Sequence, residues 1–136
     1  MTNKKAVPAG RQEKMISVVV PVYNEEGSVS ELHTEIVNTM KNLNLPYEVT
    51  FVDDGSTDKT LEILKTLSPV RIISFRKNFG QTAAIDVGIK RASGEYVITL
   101  DGDGQNDPAD IPLLIKKLEN DDLDIVSGWR KKRKDI

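Results

Sequence analysis

The sequence predicts an α/β fold, a mostly parallel Rossmann-like sheet flanked by helices, and two observations lead to it. Apolar β-branched segments alternate along the chain with segments in which apolar residues recur at helical spacing. The connections between them are short, which favours right-handed crossovers between parallel strands. The length of 136 residues suits one domain with a sizeable core. We place this domain at residues 15–136, after a polar leader at 1–14 that we expect to be disordered.

Five strands and four helices are expected in alternation after the leader. The first strand, Ile16–Val22, is a continuous β-branched run of the kind found in strands buried on both faces. The first helix begins at Ser28, which forms a capping-box pattern with Glu31. Gly94 is expected to close the third helix. The remaining strands are predicted at 48–52, 70–75, 96–100 and 124–127. The remaining helices are predicted at 57–67 and 81–91, with a last one that ends at Leu118 and begins at either Asp107 or Asp110.

Composition and missing motifs exclude several classes of protein. Without cysteine the chain has no disulfide, thiolate metal site or cysteine nucleophile, and its net charge of −2 argues against a nucleic-acid partner. No apolar run approaches the roughly 20 residues that span a bilayer, and residues 1–14 lack the apolar stretch of a secretory signal. Neither a P-loop nor a dinucleotide-binding glycine motif is present. His33 is the only histidine, and we expect it on a solvated helix surface rather than in a catalytic triad.

Polar clusters follow four of the predicted strands at their carboxyl ends. Open parallel sheets bind ligands outside these ends, so the clusters mark the candidate site. Three of the four contain acidic residues. The clusters are Tyr23–Glu26, Asp53–Gly55, Arg76–Asn78 and Asp101–Asp103.

Asp101 and Asp103 are the strongest candidates for metal ligands. Two alternate carboxylates after a buried strand can direct their oxygens at one hard cation, and the intervening Gly102 lets the backbone turn tightly. Mg²⁺ or Mn²⁺ held in this way would keep positions open for phosphate oxygens and would neutralise a diphosphate leaving group. The alternative is an acidic turn that caps the next helix. An EF-hand is disfavoured because no glutamate closes a twelve-residue loop.

Asp53 and Asp54 form a second acidic pair. Either carboxylate can accept hydrogen bonds from a nucleobase N–H or from ribose hydroxyls. Their competing role is to cap the helix that begins near Thr57, but we expect Ser56 or Thr57 to cap it instead. One of the two aspartates is therefore predicted to be free for a ligand.

The segment from Pro21 to Glu25 adds a fixed turn, the aromatic face of Tyr23 and polar groups, which together suit a nucleobase. Taken alone, this segment favours a simpler interpretation, a helix entry with Tyr23 packed on the fold. Its position beside the two acidic clusters raises the weight of the nucleotide-binding interpretation.

With these residues in place, the sequence resembles the family 2 glycosyltransferases of the GT-A fold from Ile16 to Lys134. The segments that carry the resemblance are VVVPVYNE at 18–25, VDDGSTD at 52–58 and LDGD at 100–103. Two further segments, RKNFGQTAA at 76–84 and DGDGQNDP at 101–108, resemble the polyprenyl-phosphate glycosyltransferases, the dolichol-phosphate mannose synthase group.

The resemblance implies a metal-dependent, inverting transfer of a sugar from a UDP-sugar or GDP-mannose donor to a polyprenyl phosphate, at the cytoplasmic face of a membrane. Mg²⁺ or Mn²⁺ is the implied cofactor. Together with the residue chemistry it assigns the donor nucleotide to Pro21, Tyr23, Glu25, Asp53, Asp54 and Asp101, the metal to Asp101, Asp103 and Gln105, and catalysis to Asp103 and Arg130.

Members of this group continue past Ile136 through acceptor-binding elements and often membrane helices. We therefore expect a GT-A fold that is incomplete at its C-terminus and a chain that is inactive alone. The basic segment 130–134 is either a solvated end or a cluster drawn to anionic lipid in the full-length protein. Two other functions stay open: a non-catalytic sugar-nucleotide-binding module, and a nucleotidyltransferase. The latter would need a glycine-rich basic loop where the chain has the acidic Tyr23–Glu26.

Overall fold

The computed structural model describes residues 12–100, 107–121 and 125–128. In these residues, five strands form one sheet in the order β3-β2-β1-β4-β5, and every pair of neighbouring strands is parallel. This arrangement confirms the predicted fold class. The strands are β1 (Gln12–Val22), β2 (Tyr47–Asp53), β3 (Arg71–Ser74), β4 (Gly94–Leu100) and β5 (Ile125–Gly128).

Helices cover both faces of this sheet. One face packs against α3, and the other packs against α1, α2 and α4. No helix within the described ranges is long and apolar enough to cross a bilayer. The helices are α1 (Val29–Leu43), α2 (Thr60–Leu64), α3 (Gln81–Lys90) and α4 (Ile111–Asn120), and a 3₁₀ turn (Pro108–Asp110) precedes α4.

The central strand β1 is buried on both faces, as its continuous β-branched run predicts. Val18 and Val20 belong to the core beneath α1, α2 and α4, whereas Val19 belongs to the smaller core beneath α3. Helix α3 approaches β1 closely at Gly88, where an added Cβ would lie 2.3 Å from Val19 Cγ1. This close approach lets α3 pack directly on β1, and Gly80, the residue before α3, lies beside Asp54 after the end of β2.

Three of the predictions about the ends of elements that differ from the structure concern β1, Gly94 and Ser28, and the first two differ because distant segments come into contact. Strand β1 begins at Gln12, inside the predicted leader, because Gln12 pairs with Gly94 and Lys14 N donates to Glu95 Oε1 at 2.7 Å. Gly94 is the first residue of β4 rather than a helix terminator. Ser28 precedes α1, but its side chain makes no capping bond to the helix; its Oγ donates to Glu25 Oε1 at 3.1 Å.

His33 is buried in the structure, so the prediction of a solvated surface position was wrong. Its side chain is 5% exposed, and its Nε2 lies 2.8 Å from the Pro69 carbonyl oxygen. The ring also lies 6.2 Å from that of Phe51, centroid to centroid. His33 follows Val29 and precedes Val37 at a spacing of four residues, which places all three on the buried face of α1.

Candidate functional site

Three loops meet at the carboxyl ends of β1, β2 and β3. Backbone hydrogen bonds join the strand ends: Asp54 N donates to Val22 O and Phe75 N donates to Asp53 O, both at 2.9 Å. The loops that follow are 23–28, 54–59 and 75–80, and each contains residues of one predicted cluster. Three of the four clusters therefore lie together at one edge of the sheet, as the sequence predicted.

The structure does not describe the predicted metal ligands and catalytic residues. Asp101, Asp103, Gln105 and Arg130 lie outside the described residues. Leu100, the residue before Asp101, ends β4 at the same edge of the sheet, beside β1. Within the described ranges, no group of three or more histidine, aspartate or glutamate side chains is arranged to hold a metal ion.

Asp54 is buried, and its carboxylate anchors the loop that leads into α3. Its Oδ1 accepts hydrogen bonds from Phe79 N at 2.7 Å and from Gly80 N at 3.3 Å. Its Oδ2 accepts from Gly80 N at 3.0 Å and from Asn78 Nδ2 at 3.1 Å. The negative charge at the start of α3 also complements the helix dipole. Asp54 therefore ties the 75–80 loop to the end of β2.

Asp53 is equally buried, at 2% exposure, but its carboxylate is differently placed. No donor among the described residues reaches its Oδ1. A buried acceptor without a partner costs free energy, which a donor from a ligand or from another part of the chain would recover. Judged by the described residues, Asp53 is the one of the two aspartates that keeps a free acceptor.

Capping of α2 does not involve the residues that the sequence predicted. Helix α2 begins at Thr60, and Thr60 N donates to Asp58 Oδ1 at 2.9 Å. Ser56 and Thr57 instead contact the loop after β1, where Asn24 N donates to Ser56 Oγ at 2.8 Å. The prediction of Ser56 or Thr57 as the cap was therefore wrong. Neither Asp53 nor Asp54 caps α2, as predicted.

Tyr23 presents the most accessible aromatic surface at the end of β1, with 44% of its side chain exposed. Pro21 is buried within β1 opposite Val52. Glu25 is half-buried, and its carboxylate accepts the hydrogen bond from Ser28. Of these predicted donor-site residues, Tyr23 alone is broadly exposed to a ligand.

The 75–80 loop adds residues to which the sequence assigned no contact. The Phe79 side chain is 58% exposed, its ring packs edge-on against Phe75 at 5.7 Å, and Lys77 Nζ lies 5.3 Å from its centroid. Asn78 also donates to the Asp54 carbonyl oxygen at 3.2 Å. The Asn-x-Gly pattern at Asn78 to Gly80, in the loop that follows β3, was the available signal for such an anchor.

Asp58 has a lowered pKa. Burial by itself would raise the pKa of this carboxyl, but hydrogen bonds from the Thr60 hydroxyl and backbone and from Glu26 N lower the pKa below its ordinary value overall. Because the folded pKa is below the unfolded one, the contribution of Asp58 to stability is full above the unfolded value. It is lost as the pH falls through the folded pKa.

We therefore expect Asp58→Asn to be less stable than wild type near neutral pH, and the difference to shrink on acidification. The test is urea unfolding of both proteins from about pH 6 to about pH 3. A difference that stays constant over this range would contradict the charged hydrogen-bonding role of Asp58.

Comparison with known proteins decides the family. The sequence model of the family described as glycosyl transferase family 2 matches residues 17–136. The chain belongs to glycosyltransferase family 2.

Two relatives of this family 2 chain act on polyprenyl phosphates by name. The chain is 44% identical to the dodecaprenyl-phosphate galacturonate synthase of Rhizobium johnstonii, covering 91% of this chain and 38% of the relative. It is 41% identical to the undecaprenyl-phosphate 4-deoxy-4-formamido-L-arabinose transferase of Pseudomonas savastanoi, and the match covers 90% of this chain and 37% of the relative. The expected resemblance to polyprenyl-phosphate glycosyltransferases is confirmed, and the chain spans less than two fifths of either relative.

A solved structure supports the same assignment. Glucosyl-3-phosphoglycerate synthase from Mycobacterium tuberculosis, in complex with Mn²⁺, UDP and glucosyl-3-phosphoglycerate, matches with a TM-score of 0.63 and 27% identity. The match covers 77% of this chain and 39% of that chain. The predicted GT-A fold is confirmed.

Proposed function

We propose that this chain is the donor-binding domain of a metal-dependent, inverting glycosyltransferase whose acceptor is a polyprenyl phosphate. The observation that carries the proposal is the pair of buried carboxylates, Asp53 and Asp54, beside the exposed ring of Tyr23 at the carboxyl edge of the sheet. In this proposal the chain contributes residues 12–136 to the domain, starting with β1. Family membership and the two polyprenyl-phosphate relatives support the reaction class.

The nucleoside of the donor lies over the ends of β1 and β2 in this proposal. Tyr23 offers an aromatic face for the base, and the free Asp53 Oδ1 offers an acceptor for a base N–H or a ribose hydroxyl. Asp54 holds the 75–80 loop beside the nucleoside. Its carboxylate oxygens can also accept a hydrogen bond from the nucleoside in addition to those from the loop. Pro21, buried in β1, and the half-buried Glu25 are proposed to support the site from the β1 side. A buried acceptor rejects a ligand that lacks the matching donor, so this arrangement suits selection of one base.

The divalent cation is assigned to Asp101, Asp103 and Gln105. The described carboxylates form no three-residue cluster. Residues 101–105, directly after β4 in the sequence, are proposed as the ligands because their carboxylate and amide oxygens are those that Mg²⁺ and Mn²⁺ prefer. When bound, the cation neutralises charge on the donor diphosphate. An Mn²⁺ complex of a solved relative at 27% identity is consistent with this assignment.

The acceptor side of the reaction belongs to the longer protein. A polyprenyl phosphate is already anionic, so its oxygen can attack the sugar without a general base. The new bond joins that phosphate oxygen to the anomeric carbon, and the bond from this carbon to the nucleoside diphosphate breaks with inversion. Arg130 is proposed to face the phosphate groups. The full-length enzyme would work at the cytoplasmic face of a membrane, where such an acceptor resides.

The decisive experiment is calorimetric titration of this chain with UDP and with GDP, each with and without Mn²⁺. We expect saturable binding of one nucleotide that requires Mn²⁺. Asp103→Ala should weaken it at least about tenfold, or 1.4 kcal/mol. The matched control is Asp121→Ala, because Asp121 is exposed at the C-terminal end of α4 and, among the residues that the structure describes, its carboxylate pairs with Lys117 alone, at 3.2 Å. Absence of binding would contradict the proposed function, and full binding by Asp103→Ala would contradict the metal site alone.

A further inference from the structure

We infer that Asn24 and Asp58 are positioning residues that hold Tyr23 in place for the donor nucleobase. They do so by joining the loop after β1 to the loop after β2. We call the joined segments, Asn24–Glu26 and Ser56–Thr60, the clasp. The inference rests on the proposed function, because it assumes that Tyr23 contacts the base.

Asn24 is the first link of the clasp. Its backbone has φ of 51°, in the left-handed region that asparagine tolerates better than most residues. Its Oδ1 accepts hydrogen bonds from Thr57 N at 2.7 Å and from Asp58 N at 3.3 Å, while its own N–H donates to Ser56 Oγ at 2.8 Å. One side chain thus ties two backbone groups of the neighbouring loop and fixes the turn directly after Tyr23.

The rest of the clasp consists of further hydrogen bonds between the two loops, and each loop both donates and accepts. Glu25 N donates to Thr60 Oγ1 at 2.8 Å, and Glu26 N donates to Asp58 Oδ2 at 3.3 Å. In return, Lys59 N donates to Glu26 Oε1 at 2.9 Å. The three successive N–H groups from residue 24 to residue 26 therefore each have a side-chain acceptor in the other loop.

Hydrogen bonds rather than apolar packing determine the shape of this region. Tyr23, Asn24, Glu26, Thr57 and Lys59 are all exposed, and the nearest regular element, α2, has only 5 residues. The backbone on one side of Tyr23 is fixed by the buried strand residue Val22 and on the other side by the clasp. A loop that is already ordered loses less conformational entropy when a ligand binds. The clasp is therefore expected to act on nucleotide affinity more than on the stability of the fold.

The experiment is calorimetric titration with the nucleotide, UDP or GDP, that binds the wild-type chain in the presence of Mn²⁺. Asn24→Ala removes the acceptor and disfavours the positive φ, Asn24→Gly removes only the acceptor, and Asn24→Asp keeps it. We expect both Asn24→Ala and Asn24→Gly to weaken binding about tenfold, and Asn24→Asp to restore it to within about threefold of wild type. Asn38→Ala, at an exposed position of α1, is the matched control and should bind like wild type.

Two readouts separate positioning from a merely structural role. The first is urea unfolding of each variant: a variant that is partly unfolded in buffer would raise the apparent Kd only because fewer molecules are competent to bind, whereas a misplaced Tyr23 raises the Kd of a protein that is still fully folded. In addition, Asn24→Ala should have little further effect in a Tyr23→Ala background, because it acts through that ring. Asp58→Ala should behave as Asn24→Ala does in both tests.

The outcomes also separate this inference from the function on which it rests. If wild type binds and Asn24→Ala and Asn24→Gly bind equally well, the inference is wrong and the proposed function stands. Additive effects of Asn24→Ala and Tyr23→Ala would likewise overturn it. If wild type binds neither nucleotide, the proposed function fails and the inference falls with it.

Discussion

Replacing Asp54 by alanine is expected to release the 75–80 loop from the sheet and to abolish measurable nucleotide binding. The carboxylate accepts hydrogen bonds from Phe79 N, Gly80 N and Asn78 Nδ2, and its burial leaves alanine no means to replace them. Loss of the acceptor of a buried charged hydrogen bond costs about 1–3 kcal/mol, and several donors depend on this one group. Because Phe79 is exposed, water can satisfy part of the loss, so we expect about 2–3 kcal/mol in the free energy of unfolding.

Urea unfolding provides the measurement, and the neighbouring aspartate provides the control. Asp53→Asn changes a carboxylate with the same burial at the same strand end, but one whose Oδ1 has no described donor. We expect it to change stability by less than about 1 kcal/mol, since asparagine keeps the shape of the side chain and Oδ1 makes no described hydrogen bond that the change could break. Its nucleotide affinity should nevertheless fall. Equal loss of stability in both variants would contradict the anchoring role of Asp54.

The two aspartates also show how far the sequence could lead. Their position after an apolar run, before Gly55, was enough to predict a site at the carboxyl edge of a parallel sheet. Which aspartate would stay free was not predictable. That depends on the direction of each side chain at the end of β2, and on a loop 24 residues further along, from Asn78 to Gly80, that arrives beside Asp54.

The errors of sequence interpretation have the same physical origin. The start of α2 was placed too early because Thr57 looks like a helix cap, whereas its N–H is bound by Asn24 from another loop. His33 was assigned to the surface because histidine is polar, although helical spacing alone put it in line with Val29. Local patterns report propensity and amphipathicity well. They do not report which polar group a distant segment will satisfy.

Gly55→Ala is expected to be the most damaging single-methyl change in the candidate site. Gly55 has φ of +73°, and an added Cβ would lie 2.3 Å from Lys77 C and 2.5 Å from Asn78 N. Both are backbone atoms, so the methyl group can be accommodated only if the 75–80 loop moves away from β2. Strain at positive φ costs about 1–3 kcal/mol, and overpacking against a fixed neighbour costs about 1–3 kcal/mol more. We therefore expect a loss of about 3 kcal/mol or more in the free energy of unfolding, together with weaker nucleotide binding.

Two other glycines of the same region separate strain from overlap. Gly80 has φ of +106° but no atom within 4 Å of an added Cβ, so Gly80→Ala should show the cost of backbone strain alone. Gly27 has open space and no positive φ, so Gly27→Ala should be neutral or slightly stabilising. The free energy of unfolding, measured with urea, should be lowest for Gly55→Ala, clearly higher for Gly80→Ala and highest for Gly27→Ala. If Gly55→Ala were no less stable than Gly80→Ala, the close approach of the 75–80 loop to the end of β2 would be wrong. The placement of Asn78 and Phe79 beside the nucleoside would then lose its support.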